Sequence, residues 1–159
     1  MATEQTPHGG IVQYATFLLD GLYFGIEVLK VQEVLRQQPT TPVPLAPPIV
    51  RGLINLRGQI VTAIDLRTRL GLPPRESGEP INVVIRSAEG AVSLLVDEIG
   101  DVLEVSPDQF ERPPETLSGV IRELVSGVFK LSGRLLLVLD TKKAIEANHA
   151  PALAGETSA

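Results

Sequence analysis

The stretch Val50-Arg51-Gly52-Leu53-Ile54-Asn55-Leu56-Arg57-Gly58-Gln59-Ile60-Val61-Thr62-Ala63-Ile64-Asp65 decides how the chain folds. Two apolar runs flank a polar turn at Arg57-Gly58-Gln59, and Gly58 lets the chain reverse there at little steric cost. Ile60, Val61, Ala63 and Ile64 are apolar on both faces of an extended chain, which predicts a strand covered on two sides. The pattern returns 75 positions later without a gap. Val125, Gly127, Leu131, Gly133, Leu135, Val138, Leu139 and Asp140 match Val50, Gly52, Leu56, Gly58, Ile60, Ala63, Ile64 and Asp65. Two related half-units are expected, each closing on a hairpin and then an Asp.

The hairpins need other elements to cover them. The spacing predicts a strand over 13–19, a type I′ turn at Asp20-Gly21 and a return strand over 22–28. A short helical turn then leads into a strand ending at Leu35. Prolines 39, 42, 44, 47 and 48 exclude a helix or a central strand and predict an extended connection. After the 50–65 hairpin, Asp65 can cap a short helix that Gly71 stops. Residues 72–80, with three prolines, read as a linker.

The second half is read as strands over 81–85, 91–96 and 99–105, with a turn at Glu89-Gly90 and a bend at Gly100. Ser106-Pro107-Asp108-Gln109 carries a capping-box signature. Residues 120–131 and 135–139 are expected as the last hairpin, and Asp140 caps a final helix with Ala144 and Ile145 inward. Lys142 and Glu146 on that helix form an i,i+4 pair. The expected domain is a single unit over 12–147, made of two intertwined β-barrel halves at about 12–71 and 81–147. Residues 1–11 and 148–159 are read as flexible tails. The class is all-β.

Composition limits the chemistry. The 159 residues are 43% hydrophobic but only 4% aromatic, so Val, Leu and Ile must fill the core. A net charge of −5 without a long basic run gives no electrostatic drive toward nucleic acid. There is no Cys, which excludes disulfides and thiolate catalysis. His8 and His149 lie in the expected tails, away from any preorganised base. No phosphate loop or nucleophile elbow is found, so no catalytic residue, metal ligand or cofactor is assigned. No apolar run reaches transmembrane length and the N-terminus lacks a signal-peptide pattern, so a cytoplasmic protein without membrane insertion is expected.

Three acidic features need weighing. Asp97, Glu98, Asp101 and Glu104 lack calcium-loop spacing and read as a solvated strand rim. Asp65 and Asp140 read as helix caps. Glu33 and Arg57 read first as ordinary exposed charges, whose pairing contributes only ~0–1 kcal/mol. An Arg at a turn beside apolar surface is nonetheless a good partner anchor, because its planar fork binds carboxylates and carbonyls directionally.

Read together, these residues resemble a known family. Phe24-Gly25-Ile26-Glu27-Val28-Leu29-Lys30-Val31-Gln32-Glu33-Val34 resembles the first signature of the chemotaxis coupling family CheW. Ala46-Pro47-Pro48-Ile49-Val50-Arg51-Gly52-Leu53-Ile54-Asn55-Leu56-Arg57-Gly58-Gln59-Ile60-Val61 resembles the second, and Val96-Asp97-Glu98-Ile99-Gly100-Asp101-Val102-Leu103 is similar to the third. The run 135–140 matches the closing strand, so the likeness covers about residues 12–147.

The resemblance implies two SH3-like five-stranded barrels around a joint hydrophobic core. It implies a non-enzymatic adaptor between a chemoreceptor's cytoplasmic signalling tip and the regulatory domain of a CheA-type histidine kinase. It also implies recruitment to membrane receptor arrays through those partners. Carried over by motif, Glu33, Arg57 and Val102 are receptor-binding, and Val31 and Gly52 support kinase docking or the barrel geometry behind it.

One position departs from the family. Ser93 stands where Gly is usual, which weakens the inference of kinase contact and leaves open an adaptor with a receptor but no kinase partner. A regulator binding a small molecule between the lobes is the other reading, resting on the linker 72–80 and the acidic rim 97–104.

Overall fold

The computed structural model describes residues 10–88, 90–117 and 119–146. The expected tails, His8, His149, Glu89 of the expected turn and the Glu146 side chain fall outside the described residues and side chains. Ten strands are described, in chain order: β1 Val12–Leu19, β2 Leu22–Glu27, β3 Val31–Leu35, β4 Val50–Leu56, β5 Gln59–Asp65, β6 Ile81–Ser87, β7 Gly90–Val96, β8 Glu98–Val105, β9 Val125–Leu131 and β10 Arg134–Leu139. Three short helices join them: α1 Leu66–Arg69, α2 Gly119–Leu124 and α3 Thr141–Glu146.

The strands form two five-stranded sheets that fit SH3-like subdomains. Sheet A has the order β9-β10-β2-β1-β8 and sheet B the order β4-β5-β7-β6-β3. Each contains one parallel pair at the same place. Leu137 lies opposite Phe24 in sheet A, and Ala63 lies opposite Ser93 in sheet B. The other neighbours are antiparallel. The repeat of 75 residues therefore marks equivalent hairpins, β4–β5 and β9–β10.

The two sheets do not follow the expected halves of 12–71 and 81–147. Sheet B takes one continuous piece, 31–96, whereas sheet A joins 12–27 to 98–139. The N-terminal hairpin β1–β2 takes the place in sheet A that β6–β7 takes in sheet B. The units are thus circular permutations of one another, and a repeat search over the closing hairpin does not reveal that. The linker 72–80 lies within sheet B's continuous piece, between α1 and β6. The chain crosses between sheets at 28–30 and again at Asp97.

Each permuted unit seals with one isolated bridge, Thr41 to Leu53 in one and Glu111 to Val128 in the other. Both bridges sit beside a register shift, between Val50 and Gly52 and between Val125 and Gly127. At Gly127 an added Cβ would meet the Phe110 ring, whereas at Gly52 it would meet backbone. The φ of Gly52 is +152°, and a Cβ there would stand 2.4 Å from the Thr41 carbonyl oxygen. Only Gly lets the proline-rich segment approach β4 that closely.

Apolar burial divides into three clusters. Phe17, Leu19, Phe24, Ile64, Leu94, Leu124, Leu137 and others from both sheets form the joint core. Tyr14, Tyr23, Phe129 and Leu136 fill sheet A. Ile54, Val61, Ala63 and Leu95 fill sheet B. Each fully buried Leu, Ile or Phe contributes roughly 1.5–3 kcal/mol, so neither sheet can give up the joint core.

Several local expectations change. Residues 119–124 are helical, because Leu117, Ile121 and Leu124 reach the joint core with helical spacing. Ile60 is exposed, whereas Val61, Ala63 and Ile64 are buried. At Pro107–Gln109 the chain makes only a 3₁₀ turn without a side-chain cap, and the Ser106 hydroxyl bonds Asp108 instead.

Other expectations match. Asp20 and Gly21 both have positive φ, at 52° and 80°, as a type I′ turn requires. Asp65 accepts from the Arg67 amide at 3.1 Å, and Asp140 accepts from the Lys143 amide at 3.0 Å, so both aspartates cap.

Candidate functional site

Glu33 and Arg57 are 24 residues apart in sequence and meet in space. Arg57 occupies the first turn position of the β4–β5 hairpin at φ 51°, with Gly58 next at φ 85°. The Asn55 side chain accepts from the Gly58 amide at 2.9 Å and steadies the turn. From that tip the Arg57 guanidinium reaches β3 and grips Glu33 with both prongs, Nη1 to Oε2 at 2.9 Å and Nη2 to Oε1 at 2.5 Å. The Arg57 side chain stays 70% exposed and Glu33 only 20%. The Arg57 side chain therefore lies largely in solvent while the Glu33 carboxylate holds both of its terminal nitrogens in one orientation.

The remaining expected site residues are placed differently. Val102 lies on β8 of sheet A, opposite Ala15, and is 55% exposed. Ile99 on the same strand is also exposed, between the exposed carboxylates of Glu98 and Asp101. Val31 begins β3, is half-buried and packs on the joint core. Its carbonyl oxygen accepts from Arg86 Nη1 at 3.1 Å. Gly52 is buried and presents no side chain, so a substitution there acts through the fold. The structure brings Glu33 and Arg57 together. Val102 belongs to the other sheet, and Val31 stands two residues before Glu33 on β3.

Ser93 is fully buried, not part of a surface. Its hydroxyl donates to Asn82 Oδ1 at 2.8 Å, and Asn82 Nδ2 donates to the Arg36 carbonyl at 3.2 Å. Its counterpart in sheet A is Gly25, where a Cβ would lie 3.0 Å from Leu136. Sheet B absorbs the extra side chain by pairing it with a polar neighbour. The departure at Ser93 therefore does not alter a docking face directly.

Two residues with strong signals were missed or misread. Leu29, at the 28–30 crossing, is 84% exposed and adjoins Val31. Its place in an apolar run concealed that. Asp97 was grouped with an acidic rim, but only Glu98, Asp101 and Glu104 are solvated. Asp97 takes hydrogen bonds from Arg67 Nε at 2.9 Å, Arg67 Nη2 at 2.7 Å, Arg75 Nη2 at 2.8 Å and the Asp20 amide at 2.8 Å. Burial raises its pKa, but these donors together outweigh burial and bring it down to about 2.

The cleft between this cluster and the linker has a volume of about 540 Å³. Asp97 already engages both of its arginines, Arg67 and Arg75. Among the described residues no group of three or more His, Asp or Glu is placed to hold a metal ion. No described helix is long and apolar enough to cross a membrane.

Comparison with known proteins gives this geometry a setting. The family model for the CheW-like domain matches residues 13–149. Over 136 residues the chain is 32% identical to the chemotaxis protein CheW of Treponema pallidum, covering 82% of this chain and 80% of that one. It is 32% identical over 140 residues to the chemotaxis protein CheW of Rhizobium meliloti, covering 87% and 90%. The fold matches the crystal structure of the scaffolding protein TtCheW from Thermoanaerobacter tengcongensis with a TM-score of 0.74 and 25% identity, covering 80% of this chain and 88% of that one. Paired five-stranded sheets, the Glu33–Arg57 contact within two signature motifs and a family match over most of the length agree: the chain belongs to the CheW-like domain family.

Proposed function

We propose that this protein is a chemosensory adaptor that couples the cytoplasmic signalling tip of chemoreceptors to a CheA-type histidine kinase. The observation that carries the proposal is the Glu33–Arg57 pair. Its stability contribution is small, since Arg57 is largely exposed. Its geometric effect is large, because the carboxylate fixes the direction in which the guanidinium is offered. An exposed arginine held in one orientation suits the polar rim of a protein interface. The receptor surface comprises Glu33, Arg57 and Val102. Kinase docking uses the face at Val31, where Leu29 projects into solvent, with Gly52 shaping the barrel behind.

The adaptor works by binding, without catalysis. It acts in the cytoplasm and reaches membrane receptor arrays through its partners. The similar Thermoanaerobacter protein is a scaffolding protein, which supports this role. Ser93, the one departure from the family pattern, is buried and bonded to Asn82, which supports retained kinase binding. Titrating the purified protein with a receptor signalling fragment, and separately with the kinase regulatory domain, tests the proposal. Saturable binding of both at micromolar concentrations is expected, and binding of neither would overturn it.

A further inference from the structure

Asp97 is the single residue between β7 of sheet B and β8 of sheet A. The chain therefore leaves one sheet and enters the other across one peptide unit on each side of it. Every arm around the carboxylate comes from a different element. Arg67 belongs to α1, at the end of the β4–β5 hairpin in sheet B. Arg75 belongs to the linker 72–80. The Asp20 amide belongs to the β1–β2 turn of sheet A. The Asp97 amide itself donates to the Leu18 carbonyl at 3.1 Å, a second tie to sheet A. Arg67 Nη1 also donates to the Pro73 carbonyl at 2.6 Å, which straps the linker to the same point.

The side chains of Arg67, Arg75 and Asp97 are only 11%, 12% and 18% exposed. A network this enclosed is a costly way to gain stability, since desolvation offsets much of the attraction. It is an effective way to fix one arrangement, because any sheet movement would leave a buried charge short of a partner. The other crossing, at 28–30, has a different clamp. There Arg86 Nη1 holds two backbone carbonyls, of Leu29 at 2.8 Å and Val31 at 3.1 Å, while the Leu29 side chain stays in solvent.

We propose that Asp97 is a positioning residue that locks the angle between the two sheets and so sets the placement of the Glu33–Arg57 pair on sheet B relative to Val102 on sheet A. A helix with its side chains is about 10–12 Å across, so a small change of angle decides whether a helical receptor tip touches residues of both sheets. The proposal rests on the adaptor reading for the identity of the occupant. The inter-sheet lock itself is independent of any partner.

The absence of Cys makes the lock measurable. Spin labels at Gln59→Cys and Ser132→Cys, exposed positions at the starts or tips of the equivalent hairpins, report the inter-sheet distance by pulsed dipolar spectroscopy. Asp97→Asn should broaden the distance distribution. Arg75→Ala, which removes only the linker arm, should broaden it less. In unlabelled protein, Asp97→Asn should weaken receptor-fragment binding about tenfold. An unchanged distribution in both variants would overturn the lock. A broadened distribution with unchanged receptor affinity would overturn the positioning role. If Asp97→Asn does not fold, Arg75→Ala decides both points, with smaller shifts. A parent chain that binds no receptor fragment would end the adaptor reading, while the distances would still decide the lock.

Discussion

Arg57 on the tip of the β4–β5 hairpin holds Glu33 on β3 through two parallel hydrogen bonds, while 70% of the arginine side chain remains open to solvent. In the proposed adaptor role the pair is a presentation device more than a brace. Arg57→Glu should therefore weaken receptor-fragment binding by about tenfold or more. The same change should cost no more than about 1 kcal/mol of folding stability. Titration calorimetry and urea denaturation separate the two effects. The double change Glu33→Arg with Arg57→Glu can restore an ion pair but should not restore binding, because the outward group has changed sign.

Gly52 tests the division between docking and geometry. With φ at +152° and the Thr41 carbonyl oxygen 2.4 Å from an added Cβ, Gly52→Ala must displace the proline-rich segment from β4. A loss of about 2–4 kcal/mol is expected in chemical denaturation. Its effect on kinase binding should scale with that lost stability.

Ser93→Ala leaves Asn82 Oδ1 without its buried donor, at a cost of about 1–2 kcal/mol. Because the residue is fully buried, affinity for the kinase regulatory domain should stay unchanged wherever the variant is folded. A large change in affinity at full folding would restore Ser93 as an interface position.

The Asp97 cluster predicts a pH dependence of stability. The carboxyl's folded pKa of about 2 lies below its ordinary value of 3.8, so its stabilisation is fully present above about pH 4. It is lost as pH falls through about 2. The difference in unfolding free energy between the parent chain and Asp97→Asn should be constant from pH 7 to about 4 and then shrink on further acidification. After allowing for solvent screening, the linked part is on the order of 1 kcal/mol.

The strands and hairpins were legible because alternation, turn glycines and the repeat are local signals. Asp20-Gly21, Arg57-Gly58, Asp65 and Asp140 behave as their chemistry dictates. The grouping of strands was not legible. Whether β6–β7 joins sheet B or sheet A depends on parallel pairing with β5, a long-range choice that no short pattern encodes. The helix at 119–124 was hidden because Gly119, Val120 and Ile121 have poor helix propensity, and burial of Leu124 against the joint core overrides it.

The same division holds for the site. Glu33 and Arg57 were singled out through their motifs, and only the fold shows that they touch. Asp97 was misread because its partners, Asp20, Arg67 and Arg75, lie 77, 30 and 22 residues away. Leu29 was passed over because one apolar residue among several gives no sign of which one faces outward.

The most direct measurement of the central claim is whether the chain bridges its two partners. A receptor signalling fragment is immobilised, the kinase regulatory domain is passed over it, and this protein is then added at micromolar concentration. Kinase retention that depends on this protein, and falls when Arg57→Glu replaces the parent chain, is the predicted result. Retention of this protein without the kinase, or of neither, would contradict the account.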